Sequence, residues 1–480
     1  MKKPPKSEMK LIKEIMKYRL FLIVLFLLLC VGLDAQSATT QAMPTGEGFT
    51  FMGLLRGLLG MGAIMGVAYF CSSNRKAISW RLVGLGLLTQ ISLALCILYM
   101  PFVQTAFEYL GMAFVKLLSF SEAGSKYLFK SFATDQIEMP LLNFAITILP
   151  TIIFFSALTS LFFYLGIIQK VVYWLALGLT RLLKLSGAES LAVAGNIFVG
   201  QTESPLLIKE YLDKMNRSEL MLVMSAGMAT MAGGVLALYI KVLGSGDPMQ
   251  EVLFAKHLIT ASFMAAPGVV VITKMILPQT EKISSDVQIT KEKVGSNILD
   301  AIANGTSQGV KLAVNVAGML LVFIALLAMI NFVFLKIGDW TGLNSVISNV
   351  TNGSYHGLSL QFILGYSLSP FMWLLGVPVQ DMDLVGRVLG EKLIMTELVG
   401  YTSLGELKIA GAFVHQKSII MATYILCGFA NFASIGIQIG GIGSLAPKKR
   451  VILSQLGMKA LLAGTMASLL SATIIGTILG

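Results

Sequence analysis

Apolar residues in this chain come in long unbroken runs, unlike the one-faced or alternating patterns of soluble helices and strands, and eight runs are long enough to cross a bilayer. They lie at Phe51 to Cys71, Leu82 to Val103, Leu141 to Ile168, Leu220 to Val242, Leu253 to Leu277, Val310 to Phe334, Ser418 to Ile442 and Met458 to Leu479. A shorter run, Leu20 to Leu33, follows a basic segment through Arg19 and precedes Asp34-Ala35-Gln36. Its length fits a signal-peptide core and is short for a span. Residues 1–35 are therefore expected to be a signal peptide, with an N-terminal anchor as the alternative.

Four apolar stretches do not fit a simple crossing. Phe107 to Phe132 and Val171 to Leu185 interleave apolar with basic or polar residues, as helices lying in the membrane interface do. Leu191 to Leu212 and Val385 to Leu407 each set two arms of about ten residues around a polar, glycine-bearing centre, the pattern of a re-entrant hairpin. The centres are the "GNIFVGQTESPLL" and "IMTELVGYTSLG" segments. Backbone freed at such a tip must face protein or a wet cavity, because hydrocarbon cannot satisfy it.

Basic residues fix the orientation. The clusters are Arg75-Lys76 with Arg81, Lys170 with Arg181 and Lys184, Lys209 with Lys214 and Arg217, Lys274 to Lys293, and Lys448-Lys449-Arg450. Placing all of them in the cytoplasm puts the mature N- and C-termini outside and closes the alternation of eight spans. Lys116, Lys126 and Lys130 then fall on the outer side, in a long stretch that weighs less than short loops. The order hairpin, span, span occurs at Leu191 to Leu277 and again at Val385 to Leu479, with opposite orientations. The expected fold is thus an all-α polytopic membrane protein of eight transmembrane helices plus two re-entrant hairpins in an inverted repeat, with interfacial helices. In such folds the ligand site sits at the midplane, where the repeats meet.

Composition agrees with this picture. Hydrophobic residues make up 55% and charged residues 13%, with a mean hydropathy of +0.79, against roughly 25% charge in soluble domains. The net charge of +11 arises from the loop clusters and not from a basic stripe with interleaved aromatics, so nucleic acid is not an expected partner. Cys30, Cys71, Cys96 and Cys427 stand singly inside apolar runs, without metal-ligand or redox spacing.

The candidate chemistry sits at the breaks. In the first hairpin Gly200 and Pro205 bracket Gln201, Thr202, Glu203 and Ser204; a half-helix is expected from Pro205 with Ser204 as its cap. A carboxylate such as Glu203 near the bilayer centre costs about 2.5 to 3.5 kcal/mol and needs a partner, a cation or water. The alternative is a cytoplasmic loop in which Glu203 pairs with Lys209. The second hairpin repeats the device with Thr396, Glu397 and Tyr401. The span after each hairpin carries its own interruption, Thr230 ahead of Gly233-Gly234 and Asn431 with Ser434 between Gly428 and Gly436. Unwound carbonyls there can coordinate sodium, and amides and hydroxyls can hold a polyhydroxylated solute. Helix packing is the competing role for Thr230. A membrane-embedded transferase with a glutamate base would need a paired base or metal cluster, yet His257, His356 and His415 are scattered. A channel would need a pore-lining ring of charge, which is not evident.

"GNIFVGQTESPLLIKEYL", "MTELVGYTSL" and "CGFANFASIGIQIGGIGSLAPKKR" resemble, in order and topology, the signature segments of the concentrative nucleoside transporter family. The resemblance implies a cation-coupled symporter of purine and pyrimidine nucleosides in the inner membrane, with sodium as the coupling ion, a homotrimer working as an elevator; it does not imply an enzyme. It implies a scaffold in residues 36–168, completed by 279–340 with its cytoplasmic loop, and a transport domain in 169–278 and 341–480. Gln201, Thr202 and Glu203 would meet the nucleobase, and Glu397, Asn431 and Ser434 the ribose, with Phe429 beside the substrate. Asn196, Thr230 and the carbonyls of Val199 and Met231 would hold sodium. Thr396 stands where the family commonly has asparagine, so it cannot make the bidentate contacts of that residue. Proton coupling through Glu203 or Glu397 is the alternative to sodium.

Overall fold

The computed structural model describes residues 50–129, 149–284, 295–351, 353 and 355–480. The expected signal peptide and the start of the third apolar run, 141–148, lie outside them. The described residues are helical, with no strand among them. In order the helices are α1 (Phe51–Phe70), α2 (Trp80–Tyr99), α3 (Pro101–Phe129), α4 (Leu149–Tyr164), α5 (Ile167–Leu183), α6 (Gly187–Asn196) and the single turn α7 (Lys209–Leu212). Then come α8 (Arg217–Ala229), α9 (Gly233–Gly244), α10 (Pro248–Ile276), α11 (Ile298–Thr341), α12 (Leu343–Val350) and α13 (Leu360–Leu374). The chain ends with α14 (Met382–Ile394), α15 (Glu397–Ile409), α16 (Gln416–Leu426), α17 (Phe432–Leu445) and α18 (Arg450–Leu479).

By length and apolarity six of these, counting α8 with α9 as one, could each cross a membrane, and α4 with α5, bent by 74°, could make a seventh. The apolar run Ser418 to Ile442 is divided at residues 427–431 into α16 and α17, of 11 and 14 residues. Burial separates the spans. The spanning windows within α8–α9, α10 and the α18 region are 83 to 94% buried, whereas those of α1, α2 and α11 are 6 to 28% buried. The first group forms the core, and the second presents apolar faces outward.

Polar residues start the helices where the sequence supplies them. Ser186 and Asn216 make capping boxes with Glu189 and Glu219, so orphan amides at the starts of α6 and α8 are satisfied. Replacing Asn216 by alanine should therefore cost about 0.5 to 2 kcal/mol, read as a lower melting temperature in detergent; an unchanged melting temperature would show that the box is not supporting α8. Glu189 also pairs with the buried Lys274 at the end of α10, which reaches Ser218 Oγ at 3.0 Å and fixes α6 to its neighbours.

Several boundaries differ from the expectation. The helix expected over Phe107 to Phe132 begins at Pro101, directly after α2, and packs along α10. The one expected over Val171 to Leu185 begins at Ile167, and left-handed Gly166 makes the sharp turn from α4. α11 is 44 residues long, about 66 Å at 1.5 Å per residue, twice the roughly 30 Å of hydrocarbon. Its apolar run marked only the part that hydropathy can detect. Near its start, close approach to α4 is made by small residues: an added Cβ at Gly305 or Gly309 would meet α4 atoms at 2.5 and 2.8 Å, and Ser160 Oγ donates to the Ala301 carbonyl at 2.7 Å.

Candidate functional site

Four interruptions of helical backbone lie in the core. One follows α6 at residues 197–203, where the chain continues as a 3-10 turn (Ser204–Ile208) rather than an α-helix. The second, residues 395–396, separates α14 from α15. The third, residues 230–232, separates α8 from α9, and the fourth, residues 427–431, separates α16 from α17. The third and fourth interruptions touch. Gly428, at φ +88°, lies so close that an added Cβ would sit 2.4 Å from the Ala229 carbonyl carbon. The first is tied to the third by the Gly233 amide, which donates to the Phe198 carbonyl at 3.2 Å.

The structure departs from the expected cap. Ser204 does not cap a half-helix; its hydroxyl donates to the Ala192 carbonyl at 2.9 Å, and Glu203 stands at the N-cap position without a capping bond. The cause is local: the 3-10 turn starts at Ser204 itself, so the hydroxyl turns back to α6. Thr396, in contrast, is the N-cap of α15 with its side chain accepting from the Val399 amide, and Asn431 caps α17 by accepting from the Ser434 amide at 2.9 Å.

All four interruptions contribute to one cavity of about 210 Å³. Gln201, Thr202, Glu203, Glu397, Phe429, Asn431 and Ser434 all line it, and apolar side chains of α9, α17 and α11, among them Leu238, Ile437 and Val316, complete the wall. Glu203 and Glu397 therefore face a shared space. Glu397 is held from both sides: Tyr239 Oη donates to Oε1 at 2.9 Å, and Asn431 Nδ2 donates to Oε2 at 2.8 Å. Each carboxylate oxygen keeps acceptor capacity for a hydroxyl in the cavity. Gln201 is fixed by Gln438, whose Nε2 donates to its Oε1 at 3.0 Å, and its own amide donates to Ser434 Oγ at 3.4 Å. Glu203 Oε2 accepts from the Gly200 amide at 3.4 Å, within its own loop. Glu203 also borders a smaller cavity of about 80 Å³, lined by Ser156, Thr159 and Ser160 of α4 and by Gln308 of α11.

The other expected group lies apart from the cavity wall. Asn196, Val199, Thr230 and Met231 are all buried, at or just after the ends of α6 and α8, two helices that pack against each other and whose following breaks are tied by the Gly233 amide and the Phe198 carbonyl. Asn196 Nδ2 donates to the Ala192 carbonyl at 2.9 Å, while its Oδ1 is buried without a partner. Thr230 Oγ1 donates to the Ala226 carbonyl and keeps its lone pairs. A neutral oxygen set beside helix C-termini suits a monovalent hard cation. Among the described residues no cluster of three or more His, Cys, Asp or Glu could hold a transition metal.

Sequence reasoning passed over three participants. Tyr239 orients Glu397 and stacks on Tyr401 at 4.1 Å between ring centroids. A phenol inside the apolar "GGVLALYIKVLG" was its signal, since a buried hydroxyl needs a partner. Gln438 lies seven residues after Asn431, two turns along the same face of α17. Lys392, fully buried in α14, was the third.

Residues 257–476 match the model described as "Na+ dependent nucleoside transporter C-terminus", 59–132 its N-terminus counterpart, and 145–246 a "Gate: Nucleoside recognition" model. The nucleoside permease NupC of Helicobacter pylori is 37% identical over 88% of this chain and 97% of that protein. A structure of CNTnw in an inward-facing substrate-bound state superposes with a TM-score of 0.79 at 35% identity, over 89% of this chain and all of that one. A doubly substituted CNTnw in an outward-facing state gives 0.78 at 33% identity, over 89% and 98%.

Proposed function

The chain belongs to the concentrative nucleoside transporter family, a family of transporters and not of enzymes, and from that premise we propose that it imports nucleosides by sodium symport. The observation that carries the proposal is the single cavity into which Glu397, Asn431, Ser434 and Gln201 converge.

Ribose hydroxyls are donors, and a carboxylate accepts from them more strongly than a neutral oxygen does. Glu397, braced by Tyr239 and Asn431, is assigned to the ribose together with Asn431 and Ser434. Gln201, Thr202 and Glu203 are assigned to the base, and the Phe429 ring to the side of the bound solute. Because a site built for hydroxyls is left with unpaired polar groups when they are missing, sugar recognition should be strict. Base recognition, by an amide and a hydroxyl that can each donate or accept, should be broad.

Sodium is assigned to Asn196, Thr230 and the carbonyls of Val199 and Met231. The unpartnered Asn196 Oδ1 supports this, because a buried amide oxygen without a donor is costly unless a cation meets it. Binding there orders the loop that leads to Gln201 and raises nucleoside affinity. The two hairpin-and-broken-helix units are read as an inverted repeat forming a mobile transport domain. Helices α1, α2 and α11, which present apolar faces outward, are read together with α4 as the scaffold of a homotrimer. Leu312 and Val316 of α11 line the cavity, so the scaffold would supply the fixed wall past which the domain slides in an elevator movement.

Proteoliposomes carrying the protein should accumulate uridine and adenosine against a gradient when sodium is high outside, and lose that accumulation when choline replaces sodium at constant pH. Accumulation driven by a proton gradient and indifferent to sodium would replace the ion assignment. Accumulation of neither nucleoside under either gradient would remove the substrate assignment.

A further inference from the structure

The two units each bring two helix C-termini together, and they fill the space between them differently. In the first, α6 ends at Asn196 and α8 is closed by Thr230, and all the side-chain groups supplied are neutral. In the second, α14 and α16 pack together, α16 is closed by Cys427, and the last turn of α14 carries Lys392. Lys392 is 0% exposed. Its Nζ donates to the Cys427 carbonyl at 2.9 Å, to the Ile425 carbonyl at 3.0 Å and to Ser468 Oγ of α18 at 3.5 Å. Those contacts use all three ammonium donors, and none goes to a carboxylate.

The positions correspond. Asn196 lies seven residues before Glu203, and Lys392 lies five before Glu397, each at the end of the arm that leads into its tip. Thr230 and Cys427 each close the helix that breaks next to that arm. A helix C-terminus presents orphan carbonyls and about half a negative charge, and two of them meeting in a dry interior repel unless a cation lies between. We propose that Lys392 is a tethered cation: its ammonium fills in the second unit the place that sodium fills in the first, so only the first unit responds to the ion. This rests on the sodium-symport reading above and adds to it that the second break is permanently ordered.

Lys392 is a positioning residue. The carbonyls it holds belong to Ile425 and Cys427, immediately ahead of Phe429 and Asn431 on the cavity wall. Asn431 in turn holds Glu397. A fixed charge at this point keeps the Glu397 and Asn431 side of the cavity formed in the absence of sodium, and leaves the Gln201 side to be formed by the ion.

Hydrogen–deuterium exchange on the full-length protein in nanodiscs tests this without any nucleoside. On replacing sodium by choline, residues around Asn196 to Leu207 and Thr230 to Gly234 should lose at least tenfold in protection, while Lys392 to Tyr401 and Cys427 to Ser434 stay unchanged. In Lys392→Ala the second pair should exchange faster in choline and regain protection as sodium is raised, because the freed carbonyls recruit the ion. Equal loss in both units of the wild type would overturn the proposal, and that arm stands even if the variant does not fold. A variant that exchanges faster but ignores sodium would reduce Lys392 to packing and also overturn it. Absence of uridine uptake would instead count against the symport reading, whatever the exchange pattern.

Discussion

Exchanging Glu397 for glutamine is expected to weaken uridine binding about 10- to 150-fold, equivalent to the roughly 1.5 to 3 kcal/mol of a hydrogen bond to a charged group. The shape hardly changes, so the protein should stay folded. What changes is the donor and acceptor pattern. Tyr239 Oη and Asn431 Nδ2 both donate to the carboxylate, one to each oxygen. A glutamine offers one oxygen and one NH2, so at one of these contacts two donors face each other, unless the Tyr239 hydroxyl reverses. Either way an acceptor available to a ribose hydroxyl is lost along with the charge. Isothermal titration of the purified variant, with its melting temperature as the control, reads this directly; wild-type affinity would remove Glu397 from the sugar site.

Alanine at Gly428 is expected to do the larger damage to the protein itself. The backbone there has φ +88°, which costs an L-residue about 1 to 2 kcal/mol. The new Cβ would also stand 2.4 Å from the Ala229 carbonyl carbon and 2.5 Å from the Met228 and Ala229 oxygens. These are backbone atoms at the facing helix break and cannot rotate away, so overpacking adds about 1 to 3 kcal/mol. The two broken helices would be forced apart at the place where they support the cavity. Gly436 in α17 gives the comparison, since an added Cβ there meets nothing within 4 Å. Gly428→Ala should yield little monodisperse protein and no uptake, and Gly436→Ala should behave as wild type. Equal behaviour of the two would show that the crossing of the breaks is not tight.

Much of this arrangement was legible because a bilayer punishes polar residues. Glu203, Glu397 and Asn431 stand out in apolar surroundings, and all three line the cavity. Glycines also marked broken helices: the break at residues 427–431 contains Gly428 and the one at 230–232 ends just before Gly233-Gly234, whereas Ser434 and Gly436 already lie inside α17. Other features depend on neighbours distant in the chain. Ser204 followed by Pro205 reads as a cap, but tertiary contact turns its hydroxyl to Ala192. Nothing in "CGFANF" alone says that Gly428 meets Ala229, 199 positions away. Lys392 looks like a surface lysine late in an amphipathic segment, and only packing against α16 and α18 shows its ammonium enclosed. Hydropathy also undercounts α11, whose polar first turns are helical, capped by Asn297 and exposed except on the face that Ala301, Gly305 and Gly309 pack against α4.

Sodium and nucleoside are assigned to neighbouring sites joined by the loop from Asn196 to Gln201, so each must change the affinity for the other by the same factor. Equilibrium binding to purified protein in nanodiscs, with uridine titrated at several sodium concentrations and sodium titrated at several uridine concentrations, measures both factors. The account predicts that uridine affinity rises with sodium and that uridine raises sodium affinity equally. Uridine affinity that is the same in sodium and in choline would contradict it.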